Sequence, residues 1–111
     1  MASFSLLVPG LIAEDKIYPV GDRVIGREGE SVTLTCRYET TSNSPWLYWY
    51  RRHSDLQAPQ FILWKRARSS TAEYIPDKRY GSSTSPSDTK LIIENVALAD
   101  TALYYCALET Q

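Results

Sequence analysis

Histidine occurs once in the 111-residue chain, and cysteine twice, as Cys36 and Cys106. One histidine excludes a histidine-based metal cluster, and two cysteines seventy residues apart do not make a zinc pattern. Spacing alone leaves two readings of the cysteines open, two buried free thiols or one long-range disulfide. An excess of charge of one sign is missing too: twelve Lys and Arg face thirteen Asp and Glu, for a formal net charge of −1. That balance offers no strongly basic face for nucleic acid. No segment approaches the ~18 consecutive apolar residues of a membrane-spanning helix, which puts any anchor outside this chain. Phenylalanine is scarce, with two residues against eight tyrosines and three tryptophans. Rings with a polar handle suit a half-exposed sheet and an interaction surface. What is present is one domain's worth of chain, 43% hydrophobic and 23% charged, a composition that folds.

Enzyme signatures are also absent. His53 and Ser54 adjoin, but no third group is placed to orient the imidazole, and a lone loop histidine is ordinarily just solvated. The carboxylates scatter without a convergent pair, and no glycine-rich phosphate loop occurs. Asn43-Ser-Pro carries Pro45 in the triplet and is no glycosylation sequon. The reading is a protein without catalytic residues, cofactor or metal.

At the N-terminus, Phe4 to Ile12 form a short apolar run ending in Ala13, followed by Glu14-Asp-Lys16. Residues 1–13 read as the remnant of a signal peptide, although no Lys or Arg precedes the run. The competing reading is an N-terminal strand, which Pro9-Gly10 disfavours.

Beyond residue 14 the apolar pattern has period two. Ser31-Val-Thr-Leu-Thr-Cys36 places Val32, Leu34 and Cys36 on one face and hydroxyls on the other. Trp46 to Tyr50, Gln60 to Trp64, Lys90 to Glu94 and Ala102 to Cys106 are further strand candidates. Turn-rich stretches separate them: Thr40 to Pro45, His53 to Pro59, Ser69 to Asp77 and Gly81 to Asp88. Val96 to Asp100 has room for one helical turn. Short strands with turns between them predict an all-β sandwich or barrel.

Trp49 follows Cys36 by thirteen residues, and Asp100-x-Ala-x-Tyr104-x-Cys106 closes a late strand. A Cys–Trp–Cys core with a tyrosine two residues before the second cysteine is a hallmark of the immunoglobulin sandwich. From about Ile17 to Leu108 the chain resembles an immunoglobulin-superfamily variable domain, above all a T-cell receptor alpha/delta variable segment. The residues that carry the resemblance are Glu28-Gly-Glu-Ser-Val-Thr-Leu-Thr-Cys36, Leu47-Tyr-Trp-Tyr-Arg51, Pro59-Gln-Phe-Ile-Leu63, Lys90-Leu-Ile-Ile and Asp100-Thr-Ala-Leu-Tyr-Tyr-Cys106-Ala-Leu.

The resemblance implies a V-type, two-sheet Greek-key sandwich over residues 14–111 with a Cys36–Cys106 disulfide, and Trp49, Tyr104 and Leu91 in its core. It implies a structural ion pair between Arg79 and Asp100, and a face for pairing with a second variable chain of beta or gamma type through Tyr50, Arg52 and Tyr105. Arg52 stands where the family usually carries glutamine. Tyr105 is expected to face outward, opposite to Tyr104. The family's Phe-Gly-x-Gly joining motif and final strand are missing, so the edge beside Leu103 to Leu108 is expected to be open.

Loops at one end of such a sandwich bind ligand. By position the first loop is Thr41 to Trp46, with Ser42, Asn43, Ser44 and Trp46 as contact candidates, the second is approximately Trp64 to Ser69, with Trp64, Lys65, Arg66 and Arg68, and the third begins at Leu108, Glu109 and Thr110. Trp46 and Trp64 read as contact anchors or as rings packed under their own loops. The basic residues Arg51, Arg52, Lys65, Arg66 and Arg68, set against Asp55, read as a patch for acidic groups or as a solvated strand face. The implied function is recognition of a peptide on an MHC-type molecule, on the extracellular side of the plasma membrane. The alternative is an innate V-type receptor or adhesion domain of the same fold.

Overall fold

The computed structural model describes residues 5–6 and 15–110. Among the described residues nine strands follow one another: β1 Ser5–Leu6, β2 Lys16–Pro19, β3 Val32–Glu39, β4 Trp46–Arg52, β5 Gln60–Arg66, β6 Glu73–Tyr74, β7 Tyr80–Thr84, β8 Asp88–Ile93 and β9 Leu103–Glu109. A single 3₁₀ turn, Leu98–Asp100, lies in the stretch where one helical turn was expected. The strands form two layers, β1-β9-β4-β5-β6 and β2-β3-β8-β7. All pairs are antiparallel except β1 with β9, where Ser5 and Leu6 lie opposite Cys106 and Ala107. The edge of β9 expected to be open is therefore partly taken by the backbone of residues 5–6. The rest of the expected leader lies outside the described residues.

Alternation dictates what meets between the layers. From the four-stranded sheet, Cys36, Tyr38, Leu91 and Ile93 point inward; from the five-stranded sheet, Leu47, Trp49, Tyr104, Cys106 and Leu108 do so. Cys36 and Cys106 are bonded across the layers, with Cα atoms 6.7 Å apart. Trp49 is opposite Cys106 in the ladder and its indole N–H donates to Thr89 Oγ1 at 3.3 Å. A buried hydroxyl thus meets the one polar atom that the ring brings into the core.

Asp100 organises the base. Its carboxylate accepts from Arg79 at 2.7 and 3.2 Å and from the Ala97 N–H at 2.8 Å, and its carbonyl accepts from the Tyr104 hydroxyl at 2.5 Å. Burial first, and then neighbouring Tyr80, pushes the Tyr104 phenol up to about 12.

Two strands fall in stretches that read as turns. β6 and β7 lie within or overlap Ser69 to Asp77 and Gly81 to Asp88. Tyr80-Gly-Ser-Ser-Thr84 carries one buried apolar residue, so its strand state comes from pairing with β8 and not from its own pattern.

Candidate functional site

Two surfaces stand out: the outer face of the five-stranded sheet, and the loop end. On β4 the alternation that buries Leu47 and Trp49 turns Trp46, Tyr48, Tyr50 and Arg52 outward. On β5 the register shifts at Trp49/Tyr50, so that Leu63 faces Trp49 and Phe61 faces Tyr50. Ile62 is the extra residue, and both it and Leu63 are buried. The bulge thereby keeps Phe61 on the same outer face as Trp64. The outcome is a run of rings with centroid separations of 4.5 Å for Trp46–Trp64, 6.4 Å for Trp64–Tyr74, 6.0 Å for Phe61–Tyr74, 6.0 Å for Tyr50–Phe61 and 6.3 Å for Tyr48–Tyr50. Phe61 and Tyr74 are exposed and the others half-buried. Tyr48 donates to Glu109 at 2.7 Å, and burial together with that carboxylate holds its phenol protonated well above the usual range.

Tyr105 corrects the sequence reading. It projects from the outer face as alternation requires, but it is only 1% exposed. The Arg52 guanidinium lies over its ring, 5.3 Å from the centroid. A strand's phase says which face a residue takes, and what lies on that face decides its burial. Arg52 also reaches Asp55 at 3.8 Å.

At the loop end, three further expectations change. Leu108 was placed in the third loop, yet it is fully buried on the inner face of β9, opposite Leu47. Glu109 ends that strand, and Thr110, the next residue, donates to Asp15 at 3.2 Å. Trp64, Lys65 and Arg66 were placed in the second loop but belong to β5, because β4 supplies partners as far as Trp46. The second loop begins at Ala67. Finally, the basic span is neither a free patch nor a solvated face. Lys65 pairs with Glu73 at 2.7 Å, Arg66 lies 4.3 Å from the Trp46 ring centroid, and Arg51 donates to Tyr80 at 3.0 Å. Arg68 is exposed, but its guanidinium is held by backbone carbonyls of Thr40, Ser42 and Pro86.

In the first loop Asn43 is exposed, whereas Ser42 and Ser44 are half-buried and hydrogen-bonded. Thr41 and Ser69, the outer ends of the first and second loops as read from the sequence, are the neighbouring exposed positions. Tyr48, Phe61 and Tyr74 were missed on the outer face. The phase of β4 about Trp49 would have found Tyr48; Phe61 needed the bulge, which has no sequence signature here.

No helix among the described residues is long and apolar enough to cross a membrane. A family model of the immunoglobulin V-set domain matches residues 21–111. The chain is 34% identical to human T cell receptor alpha variable 36/delta variable 7, over 98% of this chain and 93% of that one. It is 36% identical to human T cell receptor alpha variable 26-1, over 71% of this chain and 69% of that one. A solved structure on T cell specificity and activation by the bacterial superantigen toxic shock syndrome toxin-1 contains a chain of the same fold. Its TM-score is 0.74 at 19% identity, covering 87% of this chain and 83% of that one. With its two-layer sandwich, inter-sheet disulfide and Asp100-centred base, the chain belongs to the immunoglobulin V-set family, among the T-cell receptor variable domains, and is not an enzyme.

Proposed function

We propose that this domain pairs with a second variable chain of beta or gamma type through the outer face of β9, β4 and β5, and presents its loop end to a peptide on an MHC-type molecule. The observation that carries the reading is the contiguous aromatic face from Tyr48 through Tyr50 and Phe61 to Tyr74, with Phe61 and Tyr74 exposed. Aromatic rings set in a flat sheet are what interface cores enrich. Tyr50 and Arg52 lie at this face, with Tyr105 as the buried floor beneath Arg52. The loop end offers Asn43 with the flanking Thr41 and Ser69, Trp46 and Trp64 at its margin, and Glu109 and Thr110 where the third loop starts. Such a domain works on the extracellular side of the plasma membrane, where its disulfide persists. The relatives named above favour this reading over an innate or adhesion domain.

The test is co-expression with a T-cell receptor beta or gamma variable domain, followed by sedimentation. A heterodimer is expected. Phe61→Asp should abolish it while leaving the far-ultraviolet spectrum of the single chain unchanged. Absence of association with either partner type, or association indifferent to Phe61→Asp, rejects this face as the pairing surface.

A further inference from the structure

The backbone of the first loop is held almost entirely by the last residue of β5 and the three that follow it. Asn43 O accepts from the Ser69 N–H at 2.9 Å and from its hydroxyl at 2.7 Å. Pro45 O accepts from the Ala67 N–H at 3.3 Å, and Ser44 O from Arg66 Nε and Nη2 at 3.2 and 2.7 Å. Thr40 O and Ser42 O both accept from Arg68 Nη1, each at 2.7 Å. The other edge of that guanidinium, Nε and Nη2, donates to Pro86 O at 3.1 and 2.7 Å, in the turn between β7 and β8. Every loop carbonyl from Ser42 to Pro45, together with Thr40, is thus taken by Arg66–Ser69. The planar guanidinium spreads its donors over two edges, toward Thr40 and Ser42 on one side and Pro86 on the other, whereas an ammonium carries its three donors on a single nitrogen.

The backbone of Arg68 adds an independent observation. Its φ is 62°, in the left-handed region, where glycine is at ease and a side chain is under strain. An arginine held there has to return more through its guanidinium than its backbone loses.

We infer that Arg68 is the positioning residue of the recognition end. It holds the first loop, the second loop and the 85–88 turn as one preformed surface that meets its ligand without loop rearrangement. Its guanidinium donors are taken up by protein carbonyls, so it is not itself a contact for acidic groups. Preorganisation of this kind removes the ordering cost that flexible loops incur on binding. The inference rests on reading the loop end as the recognition surface.

The test needs no ligand: residue-resolved hydrogen exchange on the full chain, comparing the parent with Arg68→Gly and Arg68→Lys. Glycine relieves the backbone and removes the fork; lysine keeps the charge and removes the fork. In both variants the amides of Ser42, Ser44, Ala67 and Ser69 are expected to exchange roughly tenfold faster, while those of Leu91 and Cys106 stay as they were. Protection retained or increased in Arg68→Gly overturns the inference, because backbone strain would then outweigh the clamp. Parent-like protection in Arg68→Lys overturns it as well, since charge alone would suffice. Equal acceleration at Leu91 and Cys106 would make Arg68 a general stabiliser and overturn it too. Because neither ligand nor partner chain takes part, each of these failures leaves the receptor reading standing.

Discussion

Asp100 faces four donors with one side chain and one carbonyl, and its chemistry predicts how the domain responds to acid. The Arg79 hydrogen bonds hold its carboxyl below the usual carboxylate range, and the Ala97 N–H and Arg51, 3.9 Å away, add to this against the opposing effect of burial. A carboxyl whose pKa falls on folding contributes stability that is present above its unfolded value of about 3.9 and lost as pH falls through the lower folded value. Asp100→Asn should therefore be less stable near neutrality by about 2 kcal/mol, the partner Arg79 being part-exposed. The difference from the parent should shrink below about pH 4 in urea titrations. A gap that stays constant into acid would show that the charge is not what Asp100 contributes. Tyr104 and Tyr105 are neighbours with separate duties. Tyr104→Phe removes only the bond to Asp100 O and should cost about 1 kcal/mol. Tyr105→Ala removes a ring buried beneath Arg52 and should cost about 3 kcal/mol, measured by chemical unfolding.

Strands behave according to their neighbours. β9 has β4 on one side along its full length, but on the other, among the described residues, Ser5 and Leu6 alone, opposite Cys106 and Ala107. An unpaired strand edge on an aromatic-rich sheet is a template for association. A chain beginning at Glu14 should accordingly sediment as dimers or larger species where the full chain is monomeric. Appending a joining-type strand with Phe-Gly-x-Gly should return it to a monomer. If both chains sediment alike as monomers, the edge is not a liability and β1 is not its cover. Much of this element level was legible beforehand. β3, β4, β5, β8 and β9 all overlap stretches of period-two or aromatic sequence, because a strand with one buried face must show that alternation. β6 and β7 were not legible, since Glu73-Tyr and Tyr80-Gly-Ser-Ser-Thr gain their strand state from partners distant in sequence. The same holds for where strands end: β5 continues through Arg66 and β9 through Glu109 because β4 has backbone left to pair with, down to Trp46.

At the scale of the whole molecule, the disulfide ties the two layers at their centre. Closing a loop of 70 residues should stabilise the domain by roughly 4 kcal/mol in the chain-entropy picture. Replacing both cysteines by alanine should lower the denaturant midpoint by the corresponding amount, with Trp49 fluorescence reporting the transition. An unchanged midpoint would mean that packing around Trp49 alone holds the layers together.

The sequence by itself determined the all-β class, because strands with one buried face must alternate, and its resemblance to immunoglobulin variable domains supplied the sandwich, the Cys36–Trp49–Cys106 core and the family. Tertiary structure alone decided the condition of the candidate surfaces. Tyr105 is covered although its phase points it outward, and Phe61 joins the outer rings only through the bulge at Ile62. Leu108 is core, since β9 outlasts the point where a loop was expected. Arg66 and Arg68 turn their charge onto the carbonyls of Ser44, Thr40, Ser42 and Pro86. A carbonyl carries no mark in the sequence of being unpaired, so an arginine that answers one looks the same as an arginine free to meet a ligand. Only the fold, by bringing residues 18 to 28 positions apart within hydrogen-bond reach, separates the two.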